Sequence, residues 1–227
     1  MNKSHVLNVV PTPIGNLEDI TLRSLDTLKN SDYILCEDTR VSKKLLKKYN
    51  IEVQLVSFHS FNEHKTVQKH IDQILEGKVV SLISDAGTPS ISDPGFLIVR
   101  ESIKNNIEIN CLPGATALIP AIVNSGLSSE RFVFEGFLPT KKGRNKRIKN
   151  LVDEKRSIVI YESPKRILRL INDLMSFLGE DRKASISREL SKIFQENIRG
   201  TLKELYDKLE NKNIKGEFVI VIDGYKN

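Results

Sequence analysis

The stretch that decides the fold is VVSLISDAGTPSISDPG, residues 79–95, in which an apolar strand ends abruptly in a loop rich in glycine and proline. Two more apolar runs end in the same way: VLNVV (6–10) leads into PTPIGNLEDIT, and IEINCL (107–112) leads into PGATALIPAIVNSG. Parallel strands of an open α/β sheet point one way, so their C-terminal loops meet where backbone N–H groups can contact a ligand. The three loops therefore predict a ligand site at one edge of a parallel sheet.

Helical periodicity alternates with these strands in the first half of the chain. TLRSLDTLKN (21–30) places its leucines on one helical face, DYILCE (32–37) is predicted to be a strand, and Thr39 is predicted to cap the helix VSKKLLKKY. Asp93 followed by Pro94 is typical of an N-cap and a first helical residue. This order predicts βαβ units and a mainly parallel sheet.

The second half of the chain has a different organisation. The polar segment GLSSER (126–131) is the predicted linker, which gives one domain at 1–126 and another at 131–227. KASISREL and FQENIRGT are two predicted strands without an intervening helix, so we expect an antiparallel pair and a mixed second sheet. The fold class predicted is α/β with two domains.

Composition limits the classes of function. The chain has 227 residues, 39% of them hydrophobic, and no apolar run near the roughly 20 residues of a membrane span, so we predict a globular, cytoplasmic protein without a membrane partner. Lys and Arg exceed Asp and Glu by 35 to 29, which favours a polyanionic partner. Cys36 and Cys111 lie in apolar strands and are predicted to be small buried hydrophobic residues, and no metal site is expected.

The loops match neither of the two common nucleotide-binding motifs. None contains GxxxxGK[ST] or GxGxxG, which argues against ordinary kinases and dehydrogenases. Asp85 offers an acceptor for an amine or hydroxyl, and Gly114 and Ala115 leave the backbone open to a ligand. From composition alone, tight turns and helix caps account for these residues equally well.

Eight segments together carry a family resemblance: VVPTPIGNLEDITLRSL, CEDTR, LISDAGTPSISDPG, LPGATAL, FEGFLP, YESPKRI, SRELSK and GEFVIVIDG. They resemble the tetrapyrrole methylase family of S-adenosylmethionine-dependent methyltransferases, and within it the members that methylate small-subunit ribosomal RNA. The resemblance implies two α/β domains with the cofactor in the cleft between them. It also implies a homodimer and 2′-O-methylation of a cytidine ribose in the decoding region.

The resemblance assigns the cofactor S-adenosylmethionine to matching positions in both domains. These positions are Pro13, Asp85, Ala86, Gly87, Thr88, Ile91, Thr116, Ala117, Tyr161 and Ser187. The sulfonium methyl is already electrophilic, so the enzyme has to align the 2′-oxygen and help remove its proton. Three carboxylates at predicted strand ends are candidates for this role: Asp38, Glu162 and Glu189.

A basic cluster follows FVFEGFLP at the predicted domain junction. The cations predicted to bind RNA there are Lys141, Lys142, Arg144, Lys146 and Arg147. A charge run is usually a solvated face, but beside the predicted cleft it favours phosphate binding. Arg40 could equally hold a phosphate or pair with a carboxylate.

Two other functions remain open at this point. A tetrapyrrole C-methyltransferase would also suit a basic cleft, because its substrate is rich in carboxylates. Those enzymes typically begin with a GxGPGDPxLLT-like loop and carry a GGDP-like second motif, whereas this chain has PTPIGNLEDIT and DAGTPSISDPG. A non-catalytic RNA-binding ribosome assembly factor with the same fold is the second alternative.

Overall fold

The first unit of the computed structural model, which describes residues 5–226, is built on a five-stranded parallel sheet. Its strands are β1 (Val6–Val9), β2 (Tyr33–Cys36), β3 (Gln54–Ser57), β4 (Val80–Leu82) and β5 (Glu108–Cys111), in the order β3-β2-β4-β1-β5. All four strand pairings are parallel, so the predicted parallel sheet is confirmed. The chain leaves β1 towards β2 and leaves β4 towards β5, in opposite directions, which puts a topological switch point between β1 and β4.

Helices cover both faces of this sheet. They are α1 (Leu22–Lys29), α2 (Thr39–Lys48), α3 (Glu63–Leu75) and α4 (Phe96–Lys104), with a single 3-10 turn at Leu17–Asp19. Leu28 of α1 and Leu46 of α2 pack with Ile34 in one core. Ile71 of α3 and Ile98 of α4 pack in a second core on the other face. The result is a three-layer α/β unit whose inner strands β1, β2 and β4 are buried on both sides.

Two predicted helix caps are wrong by one or two residues. Asp38, not Thr39, caps α2, because its Oδ1 accepts the Arg40 backbone N–H at 2.8 Å. Gly95, with φ +125°, precedes the first residue of α4, so Asp93 is not the N-cap. The Pro94 carbonyl accepts the Ser90 N–H at 3.3 Å, which holds Pro94 in a turn outside the helix.

The second unit is built on a mixed five-stranded sheet. Its strands are β6 (Phe132–Phe137), β7 (Ser157–Glu162), β8 (Lys183–Arg188), β9 (Glu196–Thr201) and β10 (Phe218–Ile222), in the order β6-β7-β10-β8-β9. Only the β6–β7 pairing is parallel. The predicted mixed sheet and the predicted β8–β9 antiparallel pair are both confirmed.

Alternation along these strands separates two faces. The helices of the unit are α5 (Leu118–Ser125), α6 (Arg144–Lys149), α7 (Ile167–Leu178) and α8 (Leu202–Leu209). Ile158, Ile160 and Ile220 point into a core formed with α6, α7 and α8. Arg199 of β9 is on the opposite face, where its Nε donates to the Asn124 carbonyl of α5 at 2.7 Å.

This packing of α5 fixes the boundary between the units. They are Met1–Thr116 and Ala117–Asn227, so the division lies before α5 and not at the predicted linker 126–131. The GLSSER segment is a connection inside the second unit, because α5 packs on β8, β9 and β10. A polar, aperiodic segment predicts a loop correctly but does not show which sheet the preceding helix packs on.

Two predictions drawn from composition can be compared with this fold. Cys36 is buried in the core beside α1 and α2, as predicted, whereas Cys111 is exposed. Cys111 ends β5, which is an edge strand, so apolar neighbours in sequence do not bury it. Within residues 5–226, no helix is both long and apolar enough to cross a membrane.

Candidate functional site

The three Gly/Pro-rich loops meet at the C-terminal edge of the first sheet, as predicted. Thr12 and Gly87 exchange two backbone hydrogen bonds, both of 2.9 Å, across the β1/β4 switch point. The Thr88 hydroxyl donates to the Ala115 carbonyl at 3.2 Å. A Cβ on Gly114 would lie 2.6 Å from the Pro11 Cβ, so the first and third loops pack in direct contact. The loops form one continuous surface of backbone and small side chains.

The second loop has an unusual backbone. Ser90 and Ser92 have φ values of +70° and +65°, a region that non-glycine residues rarely adopt, and Gly87 and Gly95 also have positive φ. The buried Ser90 Oγ has no hydrogen-bond partner among the described residues. Each strained residue costs about 1–3 kcal/mol, and such strain is concentrated at ligand sites. The backbone therefore marks this loop as a candidate binding element.

Two carboxylates, Glu37 after β2 and Asp85 after β4, lie at the same edge of the first sheet. Asp85 Oδ1 accepts the Asp38 backbone N–H at 3.1 Å, which joins the end of β2 to the second loop. Burial raises the pKa of Asp85, although this hydrogen bond opposes the shift. Burial, together with the charge of Asp85, also raises the pKa of Glu37, with His59 opposing it.

Glu37 is a candidate that the sequence reasoning missed. It lies between Cys36, which points into the core beside α1 and α2, and Asp38, the cap of α2. Within the described part of the chain, no ion pair involves Glu37. Its position in CEDTR, alternating with the buried Cys36, is the signal that could have identified it.

The predicted catalytic candidate Asp38 is held in place by Arg40. Arg40 Nε lies 3.0 Å from Asp38 Oδ1, and Arg40 Nη2 lies 2.6 Å from Oδ2. These hydrogen bonds, with that from the Arg40 backbone, lower the pKa of Asp38 to about 2. A carboxylate of such low pKa is a weak base but a good acceptor for a hydroxyl. The Arg40 side chain remains 87% exposed.

The structure places the predicted cofactor residues of the first unit at this edge. They are Pro13, Asp85, Ala86, Gly87, Thr88, Ile91 and Thr116. Pro13 and Gly87 are buried, Thr88 is half-buried, and Ala86 and Ile91 are exposed. Loop surfaces of this kind allow close approach of a ligand to the backbone, because no long side chain covers them.

The cofactor residues predicted in the second unit share one face of its sheet. Tyr161 and Ser187 are both in register with Val219, so they lie in one cross-strand row. The Tyr161 ring packs edge-on against Phe134 at 4.9 Å between centroids, and the Ser187 hydroxyl hydrogen-bonds Asn197 Oδ1 at 2.6 Å. Ala117 is the N-cap residue of α5, which covers this face.

Glu162 lies on the opposite face, and the structure contradicts its predicted catalytic role. Its side chain is completely buried, with Oε1 2.7 Å from Arg166 Nη2 and Oε2 3.7 Å from Arg144 Nη1. Consecutive residues of a strand point to opposite faces, so Tyr161 and Glu162 cannot serve one site. A carboxylate enclosed by two guanidinium groups stabilises a core and cannot reach a ribose hydroxyl.

In the basic cluster, the structure contradicts the predicted RNA-binding role of Arg144. Only 2% of its side chain is exposed, and Nε donates to Asp173 Oδ2 at 2.7 Å, so it cannot bind a phosphate. Arg147 is exposed but forms an ion pair with Glu135. The exposed cations that remain for RNA are Lys141, Lys142, Lys146 and Arg147.

Glu189 also has hydrogen-bond partners that hold its side chain in place. Burial alone would raise the pKa of Glu189, but hydrogen bonds from Lys192 Nζ and from the Glu217 backbone N–H, both 2.9 Å, lower it. Its backbone φ is +52°, and a Cβ on Gly216 would lie 2.5 Å from its Cγ. These contacts indicate that Glu189 holds the β8–β9 loop, which disfavours it as a base.

Comparison with known proteins identifies the family. A family model described as "Tetrapyrrole (Corrin/Porphyrin) Methylases" matches residues 6–206. The chain belongs to the tetrapyrrole methylase family. It is 44% identical over 218 residues to "Ribosomal RNA small subunit methyltransferase I" of Thermotoga maritima, covering 96% of this chain and 98% of that protein. It is also 44% identical over 220 residues to the Synechocystis protein of the same name, covering 96% and 79%.

Solved structures of this family share the fold. A cobalt precorrin-4 methyltransferase superposes with a TM-score of 0.69 at 18% identity, covering 98% of this chain and 96% of that protein. This tetrapyrrole methylase therefore has the two-domain α/β architecture that its motifs predicted.

Proposed function

We propose that this protein is an S-adenosylmethionine-dependent methyltransferase that modifies the 2′-oxygen of cytidine 1402 in 16S ribosomal RNA. The observation that carries the proposal is the 44% identity to proteins named as ribosomal RNA small subunit methyltransferases, over 98% of the length of one of them. We also propose that it acts in the cytoplasm, as a homodimer. The precorrin enzyme, at 18% identity, supports the shared fold only.

Several features of the first unit fit S-adenosylmethionine. When bound, the cofactor supplies an electrophilic methyl group on a positively charged sulfonium. Asp85 would complement that charge and the amino group, while Ala86 and Gly87 would leave the backbone accessible. The unpartnered hydroxyl of Ser90 gives the strained loop a further polar group. Thr116 completes the proposed set in the first unit.

The residues of this chain would then orient the ribose and remove a proton. We assign orientation to Asp38, because its low pKa keeps it a hydrogen-bond acceptor throughout the physiological range. We assign proton acceptance to Glu37, whose raised pKa makes it the stronger base. Lys141, Lys142, Lys146 and Arg147 would bind phosphates of the RNA.

The decisive experiment measures both the acceptor and the atom that is methylated. Small ribosomal subunits from a strain lacking this methylation are incubated with the protein and labelled S-adenosylmethionine. We expect labelled RNA in which one linkage resists alkaline cleavage, because a methylated 2′-oxygen cannot attack the neighbouring phosphate. Label on a base, or on a tetrapyrrole but not on RNA, would overturn the proposal, and RNA binding without methyl transfer would favour an assembly factor.

The proposed base is tested by Glu37→Gln. Loss of a general base typically lowers kcat by 100-fold or more, and S-adenosylmethionine affinity measured by calorimetry should remain close to that of the parent protein. In the parent, kcat should fall as the pH drops through the raised pKa of Glu37. The variant should not show this fall in kcat. The Glu76→Gln variant is the matched control, since Glu76 is an exposed carboxylate at the C-terminal end of α3 in the same unit.

A further inference from the structure

Helix α2 carries a cationic face whose four lysines the proposed mechanism does not use. The basic residues in its ten positions are Arg40, Lys43, Lys44, Lys47 and Lys48, and the helix contains no acidic residue. At 100° per residue these five side chains fall within an arc of ~140°, opposite the side that carries the buried Leu45 and Leu46. All five are exposed, so the helix presents one continuous basic stripe.

A groove runs beside this stripe. It has a volume of about 720 Å³ and lies between α2 and the segment that leads into the edge strand β3. The basic residues that line it are Arg40, Lys43 and Lys47, the apolar ones include Leu46, Ile51 and Leu55, and Glu52 is the one acidic residue of the lining. Cations beside apolar surface suit a nucleic acid strand, which offers both phosphates and base faces.

The stability of the helix does not account for this charge pattern. Like charges three or four positions apart, such as Lys43 and Lys47, repel each other and destabilise a helix. A cation in the first turn, such as Arg40, is also disfavoured by the helix dipole, whereas Lys47 and Lys48 in the last turn are favoured. Arg40 is paired with Asp38, but within residues 5–226 no ion pair involves Lys43, Lys44 or Lys47. Binding of an anion would offset the repulsion.

The stripe begins at the candidate site. Its helix starts at Asp38, whose backbone N–H donates to Asp85 of the second loop. From there Arg40, Lys43 and Lys47 extend about 10 Å along the helix axis. We infer that this stripe and its groove bind the phosphate backbone of the RNA substrate next to the target nucleotide, an inference that rests on the proposed function.

The test replaces three lysines by alanine, as Lys43→Ala, Lys44→Ala and Lys47→Ala in one protein. Alanine preserves the helix, and each lost phosphate contact should reduce the slope of log affinity against log salt by about 0.7–0.9. We expect a slope smaller by about 2 for a 16S RNA fragment, and a KM for small subunits at least tenfold higher. The kcat and the S-adenosylmethionine affinity should stay within twofold of the parent.

The control removes the same charge elsewhere on the first unit. Lys29→Ala, Lys69→Ala and Lys104→Ala in one protein change α1, α3 and α4 and should bind RNA like the parent. A variant with arginine at positions 43, 44 and 47 keeps the charge and should retain the salt slope. Circular dichroism then separates loss of charge from loss of the helix.

Each outcome bears on the inference separately from the proposed function. Equal salt slopes for the alanine variant and the control would overturn the inference, even if the parent methylates RNA. Weaker binding of whole subunits with unchanged binding of naked RNA would assign the stripe to a ribosomal protein and would also overturn it. If the parent transfers no methyl to RNA, the proposed function fails, while the comparison of RNA affinities still decides whether the stripe binds RNA.

Discussion

The two units place their strand-end carboxylates in opposite electrostatic situations. In the second unit, Glu162 ends β7 with its side chain completely buried between Arg144 and Arg166. In the first unit, Glu37 follows β2 beside a second carboxylate, Asp85, and its pKa is raised. A carboxylate at a strand end is therefore a candidate base only where the fold leaves it without a guanidinium partner.

The largest expected effect comes from breaking the buried pair. Glu162→Ala removes the carboxylate that lies 2.7 Å from Arg166 Nη2 and leaves the buried Arg144 with Asp173 alone, and breaking a buried ion pair typically costs about 3–5 kcal/mol. Urea denaturation should show this loss in the free energy of unfolding. Lys203→Ala removes an exposed pair with Asp207 and should leave that free energy unchanged within error. If the two variants are equally stable, the buried Glu162 does not stabilise the second unit more than an exposed ion pair does.

The next effect tests loop contact in the first unit. Gly114→Ala would bring a Cβ within 2.6 Å of the Pro11 Cβ, and such overpacking typically costs about 1–3 kcal/mol. Because the first and third loops must separate, S-adenosylmethionine affinity measured by calorimetry should fall at least tenfold. Gly179→Ala in the second unit, where nothing lies within 4 Å of the new Cβ, should affect stability without changing that affinity.

Removing a helix N-cap should lower the free energy of unfolding by a smaller amount, and by the same amount in both units. Thr201 caps α8 in a capping box with Glu204, and Thr21 caps α1 by accepting the Ser24 N–H at 3.0 Å. Thr201→Ala and Thr21→Ala should each lower the free energy of unfolding by about 1 kcal/mol in thermal or urea denaturation. Similar values would show that the units differ in how their strand-end carboxylates are paired and not in local helix stability.

The smallest effect concerns acid pH. Asp38 has a folded pKa of about 2 against 3.8 for an unperturbed Asp, so its charge stabilises the folded state above pH 3.8 and this contribution is lost as the pH falls towards 2. Asp38→Asn keeps the cap but removes the titration. The stability difference between parent and variant should therefore shrink between pH 4 and pH 2. A constant difference would mean that Arg40 does not hold the carboxylate in solution.

How well the sequence predicted each feature depends on how far apart in sequence the interacting residues lie. Apolar runs ending in Gly/Pro loops predicted the parallel sheet and the meeting of the three loops at one edge, because each signal lies within a short stretch of sequence. The burial of Arg144 depends on Asp173, 29 residues away, and on which face of β7 each residue occupies, so the same arginine looked like a surface cation. Glu37 was missed for a related reason, since only the observed cap shows that the neighbouring carboxylate, Asp38, is already paired.

The exposed end of β5 makes this protein convenient for site-specific labelling. The chain has two cysteines, and the buried Cys36 has a raised pKa because burial disfavours its thiolate, whereas Cys111 is exposed. A maleimide fluorophore should therefore attach at one position without mutagenesis. Cys111 directly precedes Leu112, whose backbone N–H donates to Val9 at 3.0 Å where the third loop begins. The emission of that fluorophore would report ligand binding at the loops in real time.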